Sequence, residues 1–186
     1  MRRHRTRTKE ELQRCVTVAH QAASILESFN LEYLAGGAML LGMVRDGGLM
    51  PWVDGVVFMV QTEEVSPIES SLDSSFAIHG FKSKRGGRGS FKVYWKRNFT
   101  KDRFTVELTG YTNLDGDMVH WCKQGVLVIP PVFFKDRSTY NFYGMELPCP
   151  SDTNGFLTWC YGDWETPLKP GGKKAGHCNS NWIRSI

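Results

Sequence analysis

Residues 36–60 read GGAMLLGMVRDGGLMPWVDGVVFMV, and the residue types at its start could handle a phosphate. Glycine lets backbone N–H groups come close to phosphate oxygens, and a helix opening just behind adds the positive end of its dipole. Gly36, Gly37 and Ala38, placed ahead of a helical pattern from Met39 to Arg45, have that form. The same residues also make an ordinary tight strand-to-helix turn. Arg45 has the fork to hold a phosphate or a carboxylate, and is equally suited to an exposed helix end where the dipole favours a cation. Moving a phosphoryl-linked group also requires neutralising oxygens that gain charge in the transition state. A divalent ion such as Mg²⁺ or Mn²⁺ does this when carboxylates two apart on one strand hold it from the same face, with a third acid from a neighbouring strand. The strand after the glycine turn brings a single acid, Asp54; Glu107 stands on a later strand and also reads as structural.

These residues need elements to position them. Thr8-Lys9-Glu10-Glu11 has the form of a capping box, and Leu12, Cys15, Val16, Ala19, Ala22, Ala23, Leu26 and Phe29 recur on one helical face, which predicts a helix over 9–28. Residues 31–35 read as a strand, 38–45 as a second helix closed by Asp46-Gly47-Gly48, and 56–60 as a buried β-branched strand. A short helix is expected near 67–75, and a strand pair at 76–81 and 91–95. Residues 103–109 alternate as a half-buried strand, and 126–129 form another. A last hairpin arm is placed at 142–147, then caps at 151–154 for a helix to Tyr161. Alternating helices and strands imply an α/β (α+β) class with a mixed sheet flanked by helices, as one domain over 9–168 between a basic, disordered tail (1–8) and a loop-like tail (169–186).

From Gly37 to Met59 the chain resembles the LicD/fukutin family, whose shared pattern runs G-G-x-L-L-G-x-x-R-x-x-G-x-I-P-W-D-D-D-I-D. Leu40, Leu41, Gly42, Arg45, Gly48, Pro51 and Trp52 fall at matching places. Residues 104–108, FTVEL, are similar to the family's later acid-bearing strand, and 147–167, LPCPSDTNGFLTWCYGDWETP, to its closing element. The resemblance implies a nucleotidyltransferase fold. It also implies transfer of phosphocholine- or ribitol-phosphate-type groups from a CDP-linked donor to a glycan or glycoprotein acceptor. By the same resemblance Gly36, Gly37, Ala38, Gly42 and Arg45 would hold the donor, and Glu107 with Asp54 would hold the divalent ion and serve catalysis. The family's paired acids, however, align with Gly55 and Val57, and Val53 replaces a further one. Asp54 has the opposite strand parity, so its side chain should point away from the site, and a one-residue slip would only exchange one lost partner for another. The expectation is a degenerate member with weak or absent catalysis, a pseudoenzyme.

Composition sets the remaining bounds. With 41% hydrophobic and 23% charged residues, a packed globular core is expected rather than disorder. No apolar run approaches the roughly 20 residues of a membrane-crossing helix. The net charge is +4, but Arg2, Arg3, Arg5, Arg7 and Lys9 precede any acid, leaving the rest nearly neutral. Such a tail suits nucleic acid or anionic lipid, although a solvated, frayed terminus is its ordinary reading. No apolar segment of a secretory signal follows it. Five cysteines without a CxxC pair fit reduced thiols in the cytoplasm, or one or two disulfides in a lumen. By the resemblance the compartment would be the Golgi or secretory lumen if the chain is part of a longer anchored protein, and the cytoplasm otherwise. Three other readings were weighed. His120, Cys122, His177 and Cys178 are zinc ligand types at no standard spacing. The loop KSKRGGRGSFKVYWK interleaves cations with aromatics as an RNA binder would, although the alternation of Phe91, Val93 and Trp95 reads as a strand with rings turned to the core, which argues against nucleic acid as a partner. Trp52, Trp121, Trp159 and Trp164 could line a non-catalytic glycan- or partner-binding surface, with core packing the ordinary role of each.

Overall fold

The structure, a computed structural model, describes residues 6–85, 90–96, 103–122, 125–167 and 183–184. The side chains of residues 84–103, which include most of the stretch KSKRGGRGSFKVYWK, lie outside the described residues, as do His177, Cys178 and the side chain of Cys122.

Helix α1, Lys9–Ser28, opens with the expected capping box. Thr8 Oγ1 accepts from the Glu11 N–H (3.3 Å), and the Thr8 N–H donates to Glu11 Oε2 (2.9 Å). A cap of this kind contributes about 1 kcal/mol by satisfying amides the helix leaves unpaired. Its buried face adds Val18 and Ile25 to the expected set, while Leu12 and Phe29 sit at the core margin. Strand β1, Tyr33–Gly36, turns directly into α2, Gly37–Asp46, which leads to β2, Gly55–Gln61. Two short helices follow, α3 (Thr62–Val65) and α4 (Glu69–Ile78). Then come β3 (Phe81–Arg85), β4 (Ser90–Lys96), β5 (Arg103–Leu114), β6 (Asp117–Cys122) and β7 (Gly125–Ile129). A hairpin of β8 (Arg137–Phe142) and β9 (Met145–Pro150), α5 (Thr153–Tyr161) and β10 (Ile183–Arg184) complete the described elements.

The expected class, a mixed sheet flanked by helices, is what forms. The long strand β5 is its centre: β2 runs parallel to one edge, β4 antiparallel to the other, and the far end of β5 pairs with β6, giving the order β1-β2-β5-β6-β7-β10 with β3-β4 attached to β5. Burial alternates over the first part of β2 and from Phe104 to Thr109 in β5. Val56, Phe58, Phe104, Val106 and Leu108 are buried, whereas Gly55, Val57, Thr105, Glu107 and Thr109 are half-buried on the opposite face. The inner face carries the core with Phe76, Leu26 and Leu157; burying such a side chain fully is worth about 2–3 kcal/mol.

Two local expectations are corrected. Residues 76–78 extend α4 instead of starting a strand, because Leu72 and Phe76, one turn apart, are both fully buried and Phe76 packs edge-on against Phe81 (5.2 Å). Residues 142–147 are not one arm but the hinge between two. Asn141 Oδ1 accepts from the Gly144 N–H (3.1 Å), which closes a tight turn with Tyr143 at φ 53°. This hairpin is fastened to the rest: His20 Nε2 donates to the Phe142 carbonyl (2.8 Å), and the Tyr143 hydroxyl accepts from the Leu49 N–H (3.1 Å), fixing the loop that follows α2.

Candidate functional site

The glycine turn is built by close backbone approach. Gly36 pairs with Val57 across the β1–β2 ladder and stands in extended geometry as the N-cap of α2. Gly37 has φ +58°, a left-handed conformation costly for any side chain, and a Cβ there would lie 2.9 Å from Val57 Cγ2. No side chain caps the first amides of α2, whose first residue, Gly37, lies against Val57.

Val57 therefore marks which face of β2 looks at the turn. In the parallel ladder Val57 is the direct partner of Glu107, and Gly55 of Thr105, so these residues share that face. Lys92 is the Cα partner of Glu107 on the other side. At Gly55 an added Cβ would fall onto the Thr105 carbonyl oxygen and Oγ1, so the two backbones meet where a side chain would otherwise project.

Asp54 lies elsewhere. Its carbonyl accepts from the Thr105 N–H (2.9 Å) and Thr105 Oγ1 (3.3 Å), but its parity is that of Val56 and Phe58. The carboxylate is 72% exposed and meets Arg7 Nη2 at 3.4 Å, and the same guanidinium rests over the Phe104 ring. The structure thus brings Gly36, Gly37, Val57 and Glu107 together and leaves Asp54 on the opposite face.

Arg45 and Gly42 have structural partners. Arg45 Nε and Nη2 grip the two carboxylate oxygens of Asp46 (2.9 and 2.7 Å), while Nη1 reaches the Trp164 carbonyl (3.4 Å) and Nη2 approaches Met50 Sδ (3.2 Å). The hydrogen bond to Asp46 raises the Arg45 pKa above its ordinary value; burial opposes this and the Asp46 charge adds to it. At 12% exposure the guanidinium ties α2 to the segment after α5. Gly42 lies so close to Gly48 that a Cβ would fall onto the Gly48 carbonyl, whose own N–H donates back to the Gly42 carbonyl (3.0 Å).

This donor set does not fit a divalent ion. The face that looks at the glycine turn carries glycine, valine and threonine beside one carboxylate, and Mg²⁺ sheds water only for a fuller set of oxygens. Among the described residues there is no group of three His, Cys, Asp or Glu side chains placed to share a metal. His120, a zinc candidate by residue type, donates through Nδ1 to the Gly110 carbonyl (2.8 Å). Trp52, Trp159 and Trp164 pack at the core margin, and Trp159 stacks with Phe156 (6.0 Å); Trp121 is half-buried in β6. Sequence reasoning overlooked Arg7 and Thr105. The signal for Arg7 was its place directly before the Thr8 cap, where the chain must already be ordered; for Thr105 a single sequence holds none.

A family model described as the LicD/FKTN/FKRP nucleotidyltransferase domain matches residues 30–152. No curated protein matches the chain. Among solved structures, it is similar to the solution structure of the antibiotic-resistance factor ANT(2'')-Ia, with a TM-score of 0.52 and 13% identity. That match covers 75% of this chain and 66% of that one. A crystal structure of ANT(2'')-Ia in complex with adenylyl-2''-tobramycin is similar at a TM-score of 0.46 and 14% identity, over 73% and 68% of the two chains. At these identities the likeness concerns the fold alone, a nucleotidyltransferase-type sheet.

Proposed function

The chain belongs to the LicD/FKTN/FKRP group of nucleotidyltransferase domains, and from that premise we propose a degenerate phosphotransfer domain that retains the donor turn and has lost the metal-dependent step. The donor class is a CDP-linked small molecule and the acceptor class a glycan or glycoprotein, as the family implies. The observation that carries the reading is the pair of positions facing the glycine turn beside Glu107: Val57 packs on Gly37, and Gly55 abuts the Thr105 backbone. A diphosphate at the start of α2 would gain the helix dipole, yet Gly55 and Val57 offer no second carboxylate beside Glu107 to hold a divalent cation between them. Catalysis of phosphoryl transfer rests almost wholly on such electrostatic neutralisation. Donor engagement here is consequently weak, and Mn²⁺ adds nothing to it.

Calorimetric titration of cytidine diphosphate, with and without Mn²⁺, tests this on the unmodified chain and on Val57→Asp. The side chain at position 57 already points at the turn. The expected result is no metal dependence for the natural chain and the appearance of Mn²⁺-dependent binding in Val57→Asp. Tight Mn²⁺-dependent binding by the natural chain would sink the proposal.

A further inference from the structure

We propose that Arg7, which lies outside the family-matched segment, is a latch that fixes the start of β2 and so holds Asp54 on the face opposite Glu107. Its backbone N–H donates to the Pro51 carbonyl (2.8 Å), Nη1 donates to the Val53 carbonyl, and Nη2 reaches Asp54 Oδ1 (3.4 Å). The guanidinium carbon sits 5.6 Å from the centre of the Phe104 ring, and the side chain is only 8% exposed. A guanidinium is expensive to remove from water unless its donors are satisfied. Here a backbone carbonyl and an aromatic face satisfy it, more than the solvated Asp54 does. Thr8 follows at once and caps α1, so latch and helix start form one rigid unit.

The loop 51–54 is consequently held from two directions. Arg7 grips it from the N-terminal side, and Thr105 grips it from the sheet through both bonds to the Asp54 carbonyl. What lies between is the register of β2. A slip of one residue would send every side chain of the strand to the other face and turn Asp54 toward Glu107. Arg7 opposes that slip because it binds the Val53 carbonyl while its guanidinium is seated over Phe104, with the exposed Asp54 carboxylate a minor partner. Arg7 is thus a positioning residue acting through β2. This rests on the site face assigned under the proposed function.

Native-state hydrogen exchange on the full chain tests it, with Arg7→Ala, Arg7→Lys and Asp54→Asn beside the natural protein. Arg7→Ala is expected to speed exchange about tenfold at residues 53–57 and at Thr105 while leaving the β8–β9 hairpin and α5 unchanged. Arg7→Lys should recover part of the protection, since an ammonium keeps the charge over Phe104 but lacks the fork. Asp54→Asn should change little, as exposed ion pairs contribute little. No local change, a uniform rise across the whole domain, or an Asp54→Asn effect as large as that of Arg7→Ala would each overturn the assignment. Neither nucleotide nor metal enters the measurement, so a failure of the donor-binding reading leaves it intact.

Discussion

The glycine turn at Gly36–Gly37 and the strand start at Val53–Val57 face each other across a single ladder, yet they have fared differently. The turn works through backbone: an uncapped helix start, a left-handed Gly37 and a close approach to Val57. The strand start would have to work through side chains, and on the relevant face it offers a hydrogen atom at Gly55 and an isopropyl group at Val57. A binding element made of amides persists as long as the fold does. An element made of carboxylates needs acids at the right positions, and at position 57 valine suits a strand better than aspartate does. In this molecule the glycine turn is present, and the face beside Glu107 carries Gly55 and Val57.

The sharpest way to break that comparison is Gly55→Asp. If the two regions differed only in chemistry, restoring an acid would be harmless. Because a Cβ there meets the Thr105 backbone, the variant should lose about 3 kcal/mol in urea unfolding and gain no Mn²⁺ binding. A Gly55→Asp chain as stable as the natural one would show that the strand spacing adapts and that position 55 is merely vacant.

Gly42→Ala probes the turn side. Overlap with the Gly48 carbonyl should cost about 2 kcal/mol and disturb the loop pinned by Tyr143, with the stretch 48–50 losing hydrogen-exchange protection first. An unchanged unfolding midpoint would show that the Gly48 carbonyl gives way to a methyl group.

The smallest effect comes from groups away from both regions and serves as their control. Burial pushes the Cys149 thiol up to about 12 from 9.0, eased by a backbone hydrogen bond at Tyr140 and reinforced by Glu146. Burial, then the Glu64 charge, pushes the Tyr111 hydroxyl up to about 12 from 10.0. Between pH 9 and 12 the unfolded chain has released protons that the native chain retains, so stability should be full below pH 9 and fall as pH rises through that window. Burial, then the hydrogen bond to Glu27, also raises the Tyr33 hydroxyl above 10.0, so Tyr111→Phe should remove only part of the loss that begins above pH 10, as read from unfolding midpoints. Val57→Asp should leave this alkaline slope unchanged, which separates the site's charge from that of the core.

Much of the fold was legible because its signals are local. The Thr8–Glu11 cap, the apolar face from Cys15 to Leu26, the β-branched run of β2 and the alternation of β5 each lie within one element, where propensity and periodicity act directly. Phe76 and the turn at Tyr143 misled for the opposite reason: a helix face and a strand look alike over five residues until a partner such as Phe81 decides.

By itself the sequence determined the order of elements, the family pattern and the absence of acids at positions 55 and 57, all properties of residue type and spacing. Only the tertiary structure decided that Arg45 clasps Asp46 and Trp164, that Gly42 rests on Gly48, that Gly55 abuts Thr105, and that Arg7 reaches Val53 and Asp54. Those roles depend on where a neighbouring backbone or side chain comes to lie, in most cases one far along the chain, and no periodicity encodes that distance.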